Sequence, residues 1–150
     1  MSTVEDAKKD QRAIFLIGLL FGLIPVFGHA LIAFLVELRL ISTPNSLPFL
    51  DQNWLGHLSL AGISVSFASF INFMRHRQRP RRDIMVSFAA LVLFTTLLWI
   101  FFSVLAVSSG GVTVPVWRLG GGLIVMVVLL AYIVDMRIAA ADGAGGAHAA

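Results

Sequence analysis

The chain contains no cysteine and few charged side chains. The absence of cysteine from all 150 residues excludes disulfide bridges, thiolate metal sites and thiol redox catalysis. Charged residues make up 13% of the sequence, whereas a soluble domain usually carries about 25%. Hydrophobic residues make up 58%, and a chain of this composition could not cover a surface that faces water. The composition therefore predicts a protein that lies in a membrane.

Sequence motifs of catalysis are also missing. The metalloprotease pattern HExxH, the nucleophile pattern GxSxG and the phosphate-binding loop of nucleotide hydrolases do not occur. No pair of acidic residues lies within an apolar run. We therefore expect a protein that is not an enzyme and that holds no metal and no cofactor.

Four apolar runs are long enough to cross a membrane as helices, and they occupy residues 13–38, 54–74, 84–107 and 115–134. The first would be about 39 Å long, which exceeds a hydrocarbon core of ~30 Å and predicts a tilt or a kink at Pro25. Residues 1–12 are predicted to be a cytoplasmic tail, and the Ala- and Gly-rich residues 139–150 are predicted to be disordered. The expected fold is an all-α, polytopic bundle of four transmembrane helices.

A dense basic loop lies between the second and third spans. Its arginines are Arg75, Arg77, Arg79, Arg81 and Arg82. Short loops rich in Lys and Arg stay on the cytoplasmic side of a membrane. With this loop inside, both termini lie inside (N-in/C-in), and nine of the 11 Lys and Arg residues are cytoplasmic. This distribution is typical of a multi-pass protein of a bacterial-type inner membrane or a plasma membrane.

The basic loop has a second interpretation as a contact site. Anionic headgroups attract cations at about 1 kcal/mol per charge, and guanidinium groups bind phosphate or carboxylate through paired hydrogen bonds. We therefore expect membrane lipid or an acidic cytoplasmic protein as partners. The pI of 10.2 does not indicate a nucleic-acid partner, because the cations are concentrated at membrane boundaries.

Small residues in the first two spans predict close helix packing. In the first span they are Gly18 and Gly22, and in the second they are Ser59, Gly62, Ser66 and Ser69. Their spacing of three or four residues brings them to one face, which lets helix backbones approach. The face would serve either as a seam within the chain or as a surface for a homo-oligomer. The second span, which is the most patterned, is predicted to be the most buried.

Several polar residues in or near the spans are candidates for a function. Polar groups inside a membrane are costly and therefore often functional. One set would line a path for a proton or solute: His29, His57, Ser64 and Asn72. Otherwise, the two histidines would be exposed to water at the membrane boundary or hydrogen-bonded within the bundle. Glu37 and Arg118 are predicted to form an ion pair near the outer boundary, and Asp135 is expected to pair with Arg137 or with the basic loop.

Two functions remain open from the sequence. The leading hypothesis is an oligomeric membrane subunit, an anchor or sensor that presents its basic loop to a protein partner or to anionic lipid. The alternative is a small carrier or pore that moves a solute or a lipid-linked substrate along the Ser/His/Asn side of the second span.

Overall fold

The chain is helical in almost all of the part that the structure describes. The computed structural model describes residues 4–40, 52–76, 81–107 and 113–147. The helices in these ranges are α1 (Val4–Gly22), α2 (Ile24–Glu37), α3 (Gln52–Arg75), α4 (Arg82–Val107) and α5 (Val114–Ala147). This architecture agrees with the predicted all-α fold.

Within the described ranges, three helices are long and apolar enough to cross a membrane, and their candidate spans are Trp54–Arg75, Arg82–Val107 and Val114–Ala144. α1 and α2 pass the same test only as a pair, so the chain has a fourth span if this bent pair crosses as one unit. The bundle exposes many large apolar side chains, among them Phe21 and Leu93. Lipid covers such side chains at little cost, and the chain is therefore a helical membrane protein.

The first predicted span is divided into two helices. α1 ends at Gly22 and α2 begins at Ile24, with a bend of 42° between them. Pro25 explains the break because it has no N–H to donate and its ring collides with the carbonyl four residues earlier. The predicted kink is thus present. α1 also begins at Val4, so the predicted tail is helical from residue 4 onward.

Helices α4 and α5 pack through regularly spaced apolar side chains. In α4 the buried positions are Ile84, Leu91, Leu98 and Leu105. In α5 they are Val127, Ala131, Val134 and Ile138. Residues three, four or seven apart share one face of a helix, which is the packing geometry of left-handed bundles. These two stripes form much of the centre of the molecule.

Helix α3 contributes small and polar side chains to the same centre. Ser59, Ser66 and Ser69 are fully buried. A Cβ atom added to Gly62 would lie 3.1 Å from Leu98 Cδ2, so α3 and α4 approach closely there. Of the three candidate spans, α3 has the largest buried share, at 44% against 22% and 33%. The small-residue face of α3 is therefore packed within one chain.

The two glycines of α1 have different environments. A Cβ atom added to Gly22 would lie 3.6 Å from the carbonyl oxygen of Ala61, so the backbones of α1 and α3 approach each other at that point. At Gly18 nothing lies within 4 Å of the added atom. The close approach predicted for this pair is therefore present at Gly22 and absent at Gly18.

Helix α5 continues beyond the predicted end of the fourth span. The sequence predicted disorder from residue 139, but the helix continues to Ala147. Alanine is the strongest helix former, and the extension is also packed: a Cβ atom added to Gly143 would lie 3.0 Å from Val4 Cα of α1. Residues 148–150 of the predicted disordered segment lie outside the described residues.

Candidate functional site

The first candidate site is the end of the bundle that carries the basic loop, here termed the basic end. α3 ends there at Arg75 and α4 begins there at Arg82. The side chains of Arg75, Arg81 and Arg82 are exposed. Arg77 and Arg79 lie outside the described residues. The contact between Val4 and Gly143 places the beginning of α1 and the end of α5 together.

Arg137 of α5 joins the basic end to the first turn of α4. Its Nη1 donates to the carbonyl oxygen of Asp83 at 2.7 Å and also to the hydroxyl of Ser87. The Asp83 carboxylate lies 4.0 Å from the same nitrogen. A hydrogen bond from a charged donor contributes about 1.5–3 kcal/mol when it is well placed. Arg137 therefore fixes the position of α4 relative to α5.

His76 makes a second link between the loop and α5. Its Nδ1 lies 2.9 Å from Asp142 Oδ1, and the His76 side chain is only 2% exposed. Asp142 belongs to the extension of α5 that the sequence predicted to be disordered. This contact holds the first residue after α3 against α5.

The two links leave an uneven charge distribution at the basic end. Asp83 faces Arg137, and Asp142 faces His76. In the described part of the chain, no carboxylate lies within ion-pair distance of Arg75, Arg81 or Arg82. Three exposed guanidinium groups are therefore available to phosphate or carboxylate from another molecule.

The second candidate site surrounds Asp135, whose residue is only 3% exposed. Asn72 Nδ2 of α3 donates to Asp135 Oδ1 at 3.2 Å. Among the described residues, Asp135 forms no ion pair with Arg137 or with Arg75, Arg81 and Arg82 of the basic loop; Arg77 and Arg79 lie outside the described residues. Residues two apart on a helix point in different directions, and Arg137 faces α4 instead. No local sequence pattern indicated the contact with Asn72, which lies 63 residues away.

A cavity of about 320 Å³ leads to Asp135 between α1 and α3. Its wall is mostly apolar and includes Phe15, Phe21 and Val65, whereas Gln11, Ser64, Asn72 and Asp135 supply polar atoms. Gly22 and Ala61 approach each other about 11 residues further along the helices, roughly 16 Å from Gln11. The cavity is therefore apolar along most of its length and polar at the basic end.

The residues of the predicted polar path are only partly brought together. Ser64 and Asn72 both line the cavity, and the Ser64 hydroxyl donates to the Leu60 carbonyl at 2.9 Å. His57 does not line it and is partly buried elsewhere on α3. The side chain of His29 lies outside the described residues. Gln11 and Asp135, which line the same cavity, were not assigned to the path.

The predicted ion pair between Glu37 and Arg118 is not formed. Both residues are described and both are exposed. Glu37 ends α2, which packs on α1 and α3, whereas Arg118 lies on α5, which does not contact α2. The prediction placed them at one depth in the membrane, but equal depth does not make two helices neighbours.

The groups that the two sites present are suited to binding another molecule. Among the described residues, no group of three or more His, Cys, Asp and Glu side chains could hold a metal ion. The basic end offers guanidinium donors, and the cavity offers one buried carboxylate beside an apolar wall. Comparisons with protein families, with curated proteins and with solved structures gave no match for this chain.

Proposed function

We propose that the chain is a non-enzymatic integral membrane subunit that presents its basic loop to an acidic cytoplasmic protein or to anionic lipid. In this proposal the α1–α2 pair forms the first of four spans, and both termini are cytoplasmic, in a bacterial-type inner membrane or a plasma membrane. The observation that carries the proposal is the set of exposed arginines Arg75, Arg81 and Arg82 at the basic end. Asp83 and Asp142, two acidic residues at this end, face Arg137 and His76.

The geometry supports a docking role as well as a topological one. A loop that only set the orientation would need positive charge but no defined position. Here both sides of the loop are anchored to α5, through His76 before it and through the first turn of α4 after it. Anchoring lowers the ordering cost that the loop pays when it binds a partner.

Neutralising the described arginines of the loop tests this role. In the triple variant Arg75→Gln, Arg81→Gln and Arg82→Gln, affinity for an anionic partner should fall roughly fivefold per charge, from about 1 kcal/mol each. The measurement is the amount of anionic lipid and of protein that co-purifies in mild detergent at increasing salt. Wild-type retention should decrease with salt because the contact is electrostatic.

A matched control removes the same charge from α1. Lys8, Lys9 and Arg12 line one pocket that no arginine of the loop lines, and their replacement by Gln should leave the protein partner bound. The docking role is refuted if the loop variant keeps both its topology and its full complement of lipid and protein.

The cavity keeps the carrier alternative open, because Ser64 and Asn72 of the predicted path line it. A carrier would move a solute across liposomes, and Asn72→Ala would reduce that flux. A docking subunit shows no flux. The predicted homo-oligomer also remains a proposal, with the qualification that the small-residue face of α3 is already buried in the protomer.

A further inference from the structure

The cavity beside Asp135 has features that the docking role does not use. A carboxylate buried among apolar groups is costly unless it is paired. Its hydrogen-bond partners are the neutral side chains of Asn72, Ser69 and Gln11. Arg137, the nearest cation in sequence, is directed to Asp83 and Ser87 on α4. Within the described residues, therefore, no cationic side chain forms an ion pair with this carboxylate.

The wall of the cavity favours a ligand with an apolar body. Phe15, Phe21 and Val65 contribute apolar surface, and aromatic faces also attract cations. Its volume of about 320 Å³ is at the small end of the range for ligand pockets, about 300–1,000 Å³. The cavity is only partly enclosed, so a ligand can enter it.

We propose that this cavity binds a small lipophilic monocation, with its ammonium group beside Asp135 and its apolar body along the wall between α1 and α3. The juxtaposition of one buried carboxylate with an aromatic, apolar wall carries the proposal. An anion would meet the negative charge of Asp135, and a neutral hydrocarbon would leave the carboxylate without a counter-charge. The site is distinct from the basic loop, so the proposed binding is tested independently of the docking role.

The probe for the test is benzyltrimethylammonium, whose uncharged isostere is neopentylbenzene. Equilibrium dialysis of the full chain in detergent measures binding of the radiolabelled cation, with correction for uptake by empty micelles. The cation should bind saturably at one site per chain, and the isostere should compete at least tenfold more weakly. Equal competition by the isostere, or no saturable binding, overturns the proposal.

Three variants locate the site. Asp135→Asn keeps the size of the side chain and should weaken binding of the cation at least tenfold. Gly18→Leu fills the cavity from a position with nothing within 4 Å of an added Cβ, and should also abolish binding. Gly28→Leu is the matched control, because Gly28 is equally open but does not line the cavity. Unchanged affinity in both Gly18→Leu and Asp135→Asn contradicts the site even if one of them folds poorly.

A final arm separates two sources of the ammonium group. Phosphatidylethanolamine carries an ammonium on a lipid, whereas an amine metabolite carries it on a soluble molecule. Displacement of the probe by micelles containing this lipid would assign the site to a lipid ammonium. Retention of the probe would assign it to a soluble cation.

Discussion

Replacing Leu91 with alanine is expected to lower the free energy of unfolding by about 2–5 kcal/mol, the range for buried leucines. Leu91 is completely buried in the central cluster, with Val127 and Ala131. The truncated side chain would leave a void between α4 and its neighbours. Lipid tails do not fill such a void, because they cannot reach the centre of the bundle.

The matched control is Leu93→Ala, two residues further along the same helix. Leu93 is 58% exposed and faces the surrounding lipid. Lipid is as apolar as leucine and fills the space, so the expected change is below about 0.5 kcal/mol. Reversible unfolding in mixed micelles, followed by tryptophan fluorescence, measures both variants. Equal losses of unfolding free energy in Leu91→Ala and Leu93→Ala would show that the buried face of α4 is wrongly assigned.

Replacing Gly120 with leucine should destabilise the bundle by about 1–3 kcal/mol, the usual cost of overpacking. Gly120 is buried near the beginning of α5. A Cβ atom added there would lie 2.6 Å from two ring atoms of Phe101 and 3.0 Å from Leu55 Cδ1. The Phe101 ring packs against the central apolar cluster, so it can turn aside only by disturbing that packing, and the fully buried Leu55 has little room to move.

Gly122 supplies the comparison, since it is exposed and nothing lies within 4 Å of an added Cβ atom. Gly122→Leu should be neutral or stabilising, because leucine is a better helix former than glycine by up to about 1 kcal/mol. In the same unfolding assay, the Gly120→Leu variant should therefore have a clearly lower free energy of unfolding than the Gly122→Leu variant. The reverse order would contradict the close packing of α5 on α4.

The regular part of the fold was predictable because it depends on local patterns. The small and polar residues of α3 recur every three or four positions, and this spacing alone identified its buried face. Pro25 likewise predicted the break between α1 and α2. In both cases the signal lies within one turn or a few turns of the helix concerned.

The contacts of the candidate sites were not predictable in the same way. Asn72 meets Asp135 across 63 residues, and His76 meets Asp142 across 66. Such pairs depend on the register between α3 and α5, which no local pattern contains. The extension of α5 was missed for a related reason: its glycines resemble those of a disordered tail, but Gly143 is what allows Val4 to approach.

Cysteine labelling of the loops is the most direct test of the central claim, that the basic loop faces the cytoplasm. The chain has no cysteine, so a single substitution introduces a single reactive thiol. Gln78→Cys places it in the basic loop, and Ser46→Cys places it in the connection between the first and second spans, which the proposed topology puts outside. In intact cells a membrane-impermeant maleimide should label Ser46→Cys but should label Gln78→Cys only after permeabilisation. Labelling of Gln78→Cys in intact cells would contradict the proposed orientation and remove the cytoplasmic partner with it.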